Sequence, residues 1–113
     1  MDNLFHIGID IGSTTVKFVI LDKKKNIVHS RYERHYSDIR KTVDKILDSY
    51  YDEFKFSRVT VSITGSGGMA IANSLGIKFV QEVIAGTKAI EVFLPKTDVA
   101  IELGGEDAKI TYF

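Results

Sequence analysis

A carboxylate set inside an apolar strand is costly to desolvate unless a positive charge stands beside it, and Asp10 lies between Ile9 and Ile11. A bound divalent cation would supply that charge. Gly12, Ser13 and Thr14 follow, a tight turn whose backbone N–H groups and hydroxyls can converge on phosphate oxygens, with Lys17 as a counter-charge. The same residues also suit a plain hairpin turn carrying an exposed lysine. A second glycine loop, Gly65-Ser66-Gly67-Gly68, sits at a strand-to-helix junction, where a helix amino terminus can receive an anion. It has neither the Gly-Lys-Ser/Thr of a Walker loop nor the G-x-G-x-x-G spacing of a dinucleotide fold. A third loop, Gly104-Gly105-Glu106-Asp107, comes just after the strand acid Glu102, and a tight turn again accounts for its composition.

What links these loops is an internal echo. Ile9-Asp10-Ile11-Gly12-Ser13-Thr14-Thr15-Val16-Lys17 aligns without gaps on Ile101-Glu102-Leu103-Gly104-Gly105-Glu106-Asp107-Ala108-Lys109, with acid, glycine and lysine in register. The separation is too long for a solenoid repeat. Two matched hairpins could face one phosphate and metal from two sides, so the Gly12-Ser13 and Gly104-Gly105 turns are expected close together at one end of a sheet.

The elements that must position these loops follow from hydrophobic period. Phe5, Ile7, Ile9 and Ile11 alternate with His6, Gly8, Asp10 and Gly12, and a second run covers Thr15 to Leu21. The short link between them predicts an antiparallel hairpin. Lys23, Lys24, Lys25 and Asn26 form a polar turn into a third strand, Ile27 to about His35, whose Arg31, Glu33, Arg34 and His35 suit a solvated edge. From Asp38 the spacing of Ile39, Val43, Ile46, Leu47, Tyr50 and Phe54 becomes helical, with Ser37 or Asp38 as cap. Val59, Val61 and Ile63 restore period two over Arg58 to Thr64, predicting a strand that rejoins the sheet in parallel after the helical crossover. Met69 to Leu75 reads as a helix stopped by Gly76, and Glu82 to Leu94 as another with Val83, Thr87, Ile90 and Leu94 toward the core. Val99 to Leu103 and Ala108 to Phe113 are strands flanking the third loop. No linker or low-complexity tract marks a domain boundary.

Composition narrows the function classes. The 113 residues carry 15 Lys and Arg against 15 Asp and Glu, so charge cannot drive binding to nucleic acid or an anionic membrane. There is no Cys, which excludes disulfides, thiolate metal sites and a Cys nucleophile within the chain. No apolar run reaches membrane-spanning length and no signal segment opens the chain, so a cytoplasmic protein is expected. His6, His29 and His35 have no metal-ligand spacing and read as strand or surface residues. No Ser-His-Asp arrangement is supported.

The stretch Gly8-Ile9-Asp10-Ile11-Gly12-Ser13-Thr14-Thr15-Val16-Lys17 resembles the first phosphate loop of the superfamily of acetate and sugar kinases, heat-shock chaperone ATPases and actin. Glu102-Leu103-Gly104-Gly105 resembles its second. Thr64-Gly65-Ser66-Gly67-Gly68, Glu82-Val83-Ile84-Ala85 and the segment from Ile101 to Lys109 look like the activator ATPases of 2-hydroxyacyl-CoA dehydratases and benzoyl-CoA reductases. The resemblance runs over nearly the whole chain. It implies an α/β ribonuclease H-like subdomain, a three-stranded antiparallel meander followed by a parallel strand with crossover helices.

By position, the resemblance implies that Asp10 organises Mg²⁺ through water, that Gly12, Ser13, Thr14, Lys17 and Gly65 help hold the phosphates of ATP, and that Gly104, Gly105 and Asp107 close on the γ-phosphate, with Glu102 where many members have Asp. Gly86 stands where a family His is expected. It further implies a homodimeric ATPase that drives electrons from a four-iron, four-sulfur cluster to an acyl-CoA dehydratase or reductase. The cluster ligands and the adenine-binding second lobe would lie beyond Phe113, so residues 1–113 are expected to be an incomplete N-terminal ATPase lobe, inactive alone. The rival readings are a sugar or acetate kinase lobe and a non-catalytic, nucleotide-dependent assembly protein on the same fold.

Overall fold

The structure is a computed structural model and describes residues 3–103 and 108–113. It divides into two compact units, Met1–Gln81 and Glu82–Phe113, at a point where no proline or glycine run interrupts the sequence.

In the first unit the period-two segments form β1 (Leu4–Ile11), β2 (Thr15–Leu21) and β3 (Ile27–Arg34). Both pairings among them are antiparallel. Helix α1 (Ile39–Phe54) carries the chain across to β4 (Arg58–Thr64), which lies parallel to β1 on its free side. This is the meander followed by a parallel strand that the sequence predicts. A further strand, β5 (Lys78–Phe79), adds in parallel to β4 and completes the sheet order β3-β2-β1-β4-β5. Nothing in the sequence marks β5, because two residues are too few to show a period.

The odd-numbered residues of β1 bury themselves as the alternation requires. Ile7, Ile9 and Ile11 join Val16, Phe18 and Ile20 of β2 and Ile63 of β4 against Val43, Ile46 and Phe54 of α1. Each such side chain contributes roughly 1.5–3 kcal/mol by leaving water. Phe5 meets Phe54 edge-on at 4.8 Å, and Phe18 stacks on Tyr50 at 5.4 Å. Asp38 caps α1 by accepting from the Lys41 N–H at 3.2 Å, which satisfies one of the orphan donors of the first turn. Helix α2 (Gly68–Leu75) stops at Gly76, whose φ of 66° is the left-handed conformation that terminates helices.

Two expectations for the third strand and its neighbourhood need correction. Arg31 and Glu33 are half-buried, and His35 is only 5% exposed. These positions share the face of the sheet that α1 covers, so period two turns them inward although β3 is an edge.

The second unit holds α3 (Glu82–Phe93) and a hairpin of β6 (Val99–Leu103) and β7 (Ala108–Tyr112). The expected inward stripe is only partly covered: Thr87 and Ile90 are half-buried, whereas Val83 is 57% and Leu94, just past the helix, 63% exposed.

Candidate functional site

The turn between β1 and β2 is closed by the Gly12 N–H donating to the Thr15 carbonyl at 2.9 Å. Just before it, Asp10 stands opposite Lys17 in the ladder, with the Lys17 Nζ 3.5 Å from the Asp10 Oδ2. The positive charge that Asp10 needs is therefore supplied within the chain. Their side chains are 38% and 49% exposed. Pairs this wet contribute little to stability, which leaves both groups free to turn to a ligand.

The second glycine loop meets the first because β1 and β4 run parallel. Asp10 pairs in register with Thr64, so both strands deliver their following loops to the same end of the sheet, the place where ligands bind in open sheets of this kind. Gly65 has a φ of 99°, and a Cβ there would overlap the Ile11 carbonyl and lie 2.5 Å from the Asp10 Oδ1. The Gly67 N–H donates to the Ile11 carbonyl at 2.9 Å. A Cβ on Gly67 would come within 3.0 Å of Ile11 Cγ2. Only glycine at 65 allows this approach, and the result is one ledge built from residues 10–14 and 65–67. Helix α2 starts immediately behind it at Gly68, with no side-chain cap on its free N–H groups, so its positive end adds to the ledge.

His35 supports the ledge from inside. Its backbone N–H donates to the Thr14 carbonyl at 3.0 Å and its Nε2 lies 3.0 Å from the Gly12 carbonyl. The sequence places this histidine on the strand or surface, and no local signal points to its contacts with Gly12 and Thr14, which lie some twenty residues away.

Among the described residues no group of three or more His, Cys, Asp or Glu side chains is arranged to hold a metal ion. One carboxylate with neighbouring hydroxyls is instead the donor set that suits Mg²⁺ held chiefly by substrate phosphates and water.

The internal echo is present as structure. In the second unit Glu102 stands opposite Lys109 as Asp10 does opposite Lys17, and Leu103 pairs with Ala108 as Ile11 does with Val16. Glu102 is exposed, and the Lys109 ammonium forms an ion pair with Glu82 of α3. Gly104, Gly105 and Asp107, and with them the expected meeting of the two turns, lie outside the described residues. No described helix is long and apolar enough to cross a membrane.

Comparison with known proteins bears out the resemblance read from the sequence. The chain is 30% identical over 111 residues to the 2-hydroxyisocaproyl-CoA dehydratase activator of Clostridioides difficile, a match covering 95% of this chain and 40% of that protein. It is 28% identical to an uncharacterized protein of Methanocaldococcus jannaschii, covering 92% of this chain and 41% of the relative. The chain thus spans about two-fifths of the length of the curated relatives it matches. No protein-family model matches it. The crystal structure of component A of (R)-2-hydroxyglutaryl-CoA dehydratase from Acidaminococcus fermentans shares the fold, with a TM-score of 0.79 at 23% identity over 96% of this chain and 42% of that one. The activator of the 2-hydroxyisocaproyl-CoA dehydratase from Clostridium difficile, with bound ADPNP, gives 0.69 at 25% identity over 96% and 40%. A Ppx/GppA phosphatase from Aquifex aeolicus shares the fold at 0.62 and 17% identity, covering 97% of this chain and 48% of that one. The α/β architecture expected from the sequence is the one these proteins share.

Proposed function

We propose that this chain is the phosphate-gripping part of an ATP-binding activator that drives electron transfer to an acyl-CoA dehydratase or reductase. The observation that carries the reading is the ledge, where Asp10, Gly12, Ser13, Thr14 and Lys17 share one hairpin and Gly65 and Gly67 pack directly against it. The ADPNP held by the Clostridium difficile activator favours an adenine nucleotide as the ligand.

In this reading the Ser13 and Thr14 amides and hydroxyls donate to phosphate oxygens, and Lys17 swings from Asp10 to offset their charge. Asp10 then faces the metal. Mg²⁺, when bound, neutralises charge on the phosphates, and the Asp10 carboxylate would hold it through water. Gly104, Gly105 and Asp107 are assigned to the γ-phosphate, with Glu102 beside them by the internal echo. The reaction is phosphoryl transfer to water, achieved by positioning and charge neutralisation. The chain has no Cys, so its own residues do not fit an iron–sulfur cluster. A homodimeric complete protein in the cytoplasm, with a dehydratase or reductase component as partner, belongs to the same proposal.

Backbone amide shifts on titrating ATP and Mg²⁺ into the 113-residue chain test the site. The expected response is weak binding with shifts centred on residues 12–15 and 65–67, weakened about tenfold by Asp10→Ala, and negligible hydrolysis. Shifts centred elsewhere, or an Asp10→Ala chain that titrates like wild type, would remove the site from this ledge.

A further inference from the structure

We propose that His35 is a positioning residue for the 12–15 loop, holding the Gly12 carbonyl inward so that the Ser13 amide is presented to the ligand. The proposal rests on the phosphate reading of the ledge, and it adds to that reading a residue from outside the loop.

His35 is a buried polar side chain whose two ring nitrogens both have partners that leave no choice of role. The Ser37 backbone N–H, 3.1 Å from Nδ1, can only donate, so Nδ1 offers a lone pair. The Gly12 carbonyl, 3.0 Å from Nε2, can only accept, so Nε2 carries the hydrogen. The ring is therefore neutral and held in one tautomer. Across a trans peptide the C=O and the following N–H point in opposite directions, and no peptide bond here is cis. Tying the Gly12 carbonyl to His35 turns the Ser13 N–H away from the interior. The His35 backbone N–H holds the Thr14 carbonyl as well.

The rest of the loop follows the same rule. The Ile11 carbonyl accepts from Gly67 and the Thr15 carbonyl from Gly12. The carbonyls of residues 11, 12, 14 and 15 are thus all engaged by donors of the chain itself, and Ser13 and Thr14 between them are exposed. An anion site needs this polarity, because an inward-facing donor or an outward-facing carbonyl would oppose a phosphate.

The backbone that aims Ser37 at the ring is itself strained. Tyr36 and Ser37 have φ of 48° and 65°, two consecutive non-glycine residues in the left-handed region. Such outliers persist where the surroundings over-determine them, and here they return the Ser37 N–H to Nδ1.

The test uses two amide variants that separate the nitrogens. Gln in place of His35 can reach Gly12 with its NH₂, as Nε2 does. Asn matches Nδ1 and can accept from Ser37, but falls short of Gly12. ATP·Mg²⁺ titrations followed by amide shifts are expected to show His35→Gln within about threefold of wild type and His35→Asn about tenfold weaker. Melting of both variants checks that the difference is not one of folding. Ring ¹⁵N shifts of the wild type at neutral pH are expected to show a protonated Nε2 and a bare Nδ1. A protonated Nδ1, or equal affinities for two folded variants, overturns the proposal. A wild type whose residues 12–15 ignore the nucleotide, while the ring shows the expected tautomer, instead removes the phosphate reading and leaves His35 as a brace of the hairpin only.

Discussion

Lys17 faces Asp10 directly across the β1–β2 ladder, its Nζ 3.5 Å from the carboxylate. The two charges are both about half-exposed, so their mutual attraction is screened and either can be recruited by a ligand at little cost to the fold. In the β6–β7 hairpin the corresponding lysine, Lys109, stands opposite Glu102 and forms an ion pair with Glu82.

Replacing Lys17 by Met is expected to change folding stability by less than about 1 kcal/mol. Nucleotide binding should instead fall about tenfold, the equivalent of ~1.4 kcal/mol. Thermal melting and an ATP·Mg²⁺ titration on the same sample read the two effects. A variant that melts far below wild type, or binds equally well, would show that Lys17 serves the fold rather than the ligand.

Gly65 and Gly76 both have positive φ, but their surroundings differ. A Cβ at 65 would strike the Ile11 carbonyl and Asp10, whereas nothing lies within 4 Å of one at 76. Gly76→Ala is expected to cost about 1–2 kcal/mol, the left-handed strain alone. Gly65→Ala adds a backbone overlap and is expected to exceed it by at least ~1 kcal/mol. Urea unfolding of both variants measures the difference, and equal losses would mean that the two loops are not in contact.

Acid should weaken the fold through two identified carboxylates. The Asn26 backbone N–H, 2.9 Å from Asp22 Oδ1, holds Asp22 below the usual carboxylate range. The Arg31 guanidinium, 3.1 Å from Glu33, does the same there, helped by Lys45. A lowered folded value means that the stabilisation is fully present above the ordinary carboxylate pKa of about 4 and is lost as pH falls through the folded values. Melting temperatures measured from pH 7 downward are expected to drop less steeply for Asp22→Asn and Glu33→Gln than for wild type. Parallel acid limbs for all three proteins would contradict this.

Local pattern by itself determined most of the first unit. The alternation of Ile7, Ile9 and Ile11 and the helical spacing of Val43, Ile46 and Phe54 name their elements and inward faces, because burial in a two-layer sheet and helix imposes those two periods. The chemistry-bearing types at Asp10, Gly12, Ser13 and Lys17, and the echo at Glu102 and Lys109, were equally legible. What only the tertiary structure decided is contact between distant segments. Parallel pairing of β1 with β4 brought Gly65 against Asp10, and the β2–β3 ladder, extended by the His35 N–H to the Thr14 carbonyl, brought His35 beneath Gly12. The first leaves only the glycine that permits it, without naming its partner, and the second leaves no trace, since a contact across twenty or fifty positions does not set the period of the sequence around it. The same holds after Gln81: the spacing of Val83, Thr87, Ile90 and Leu94 announces one face, but packing covers Thr87 and Ile90 in part and leaves Val83 and Leu94 exposed.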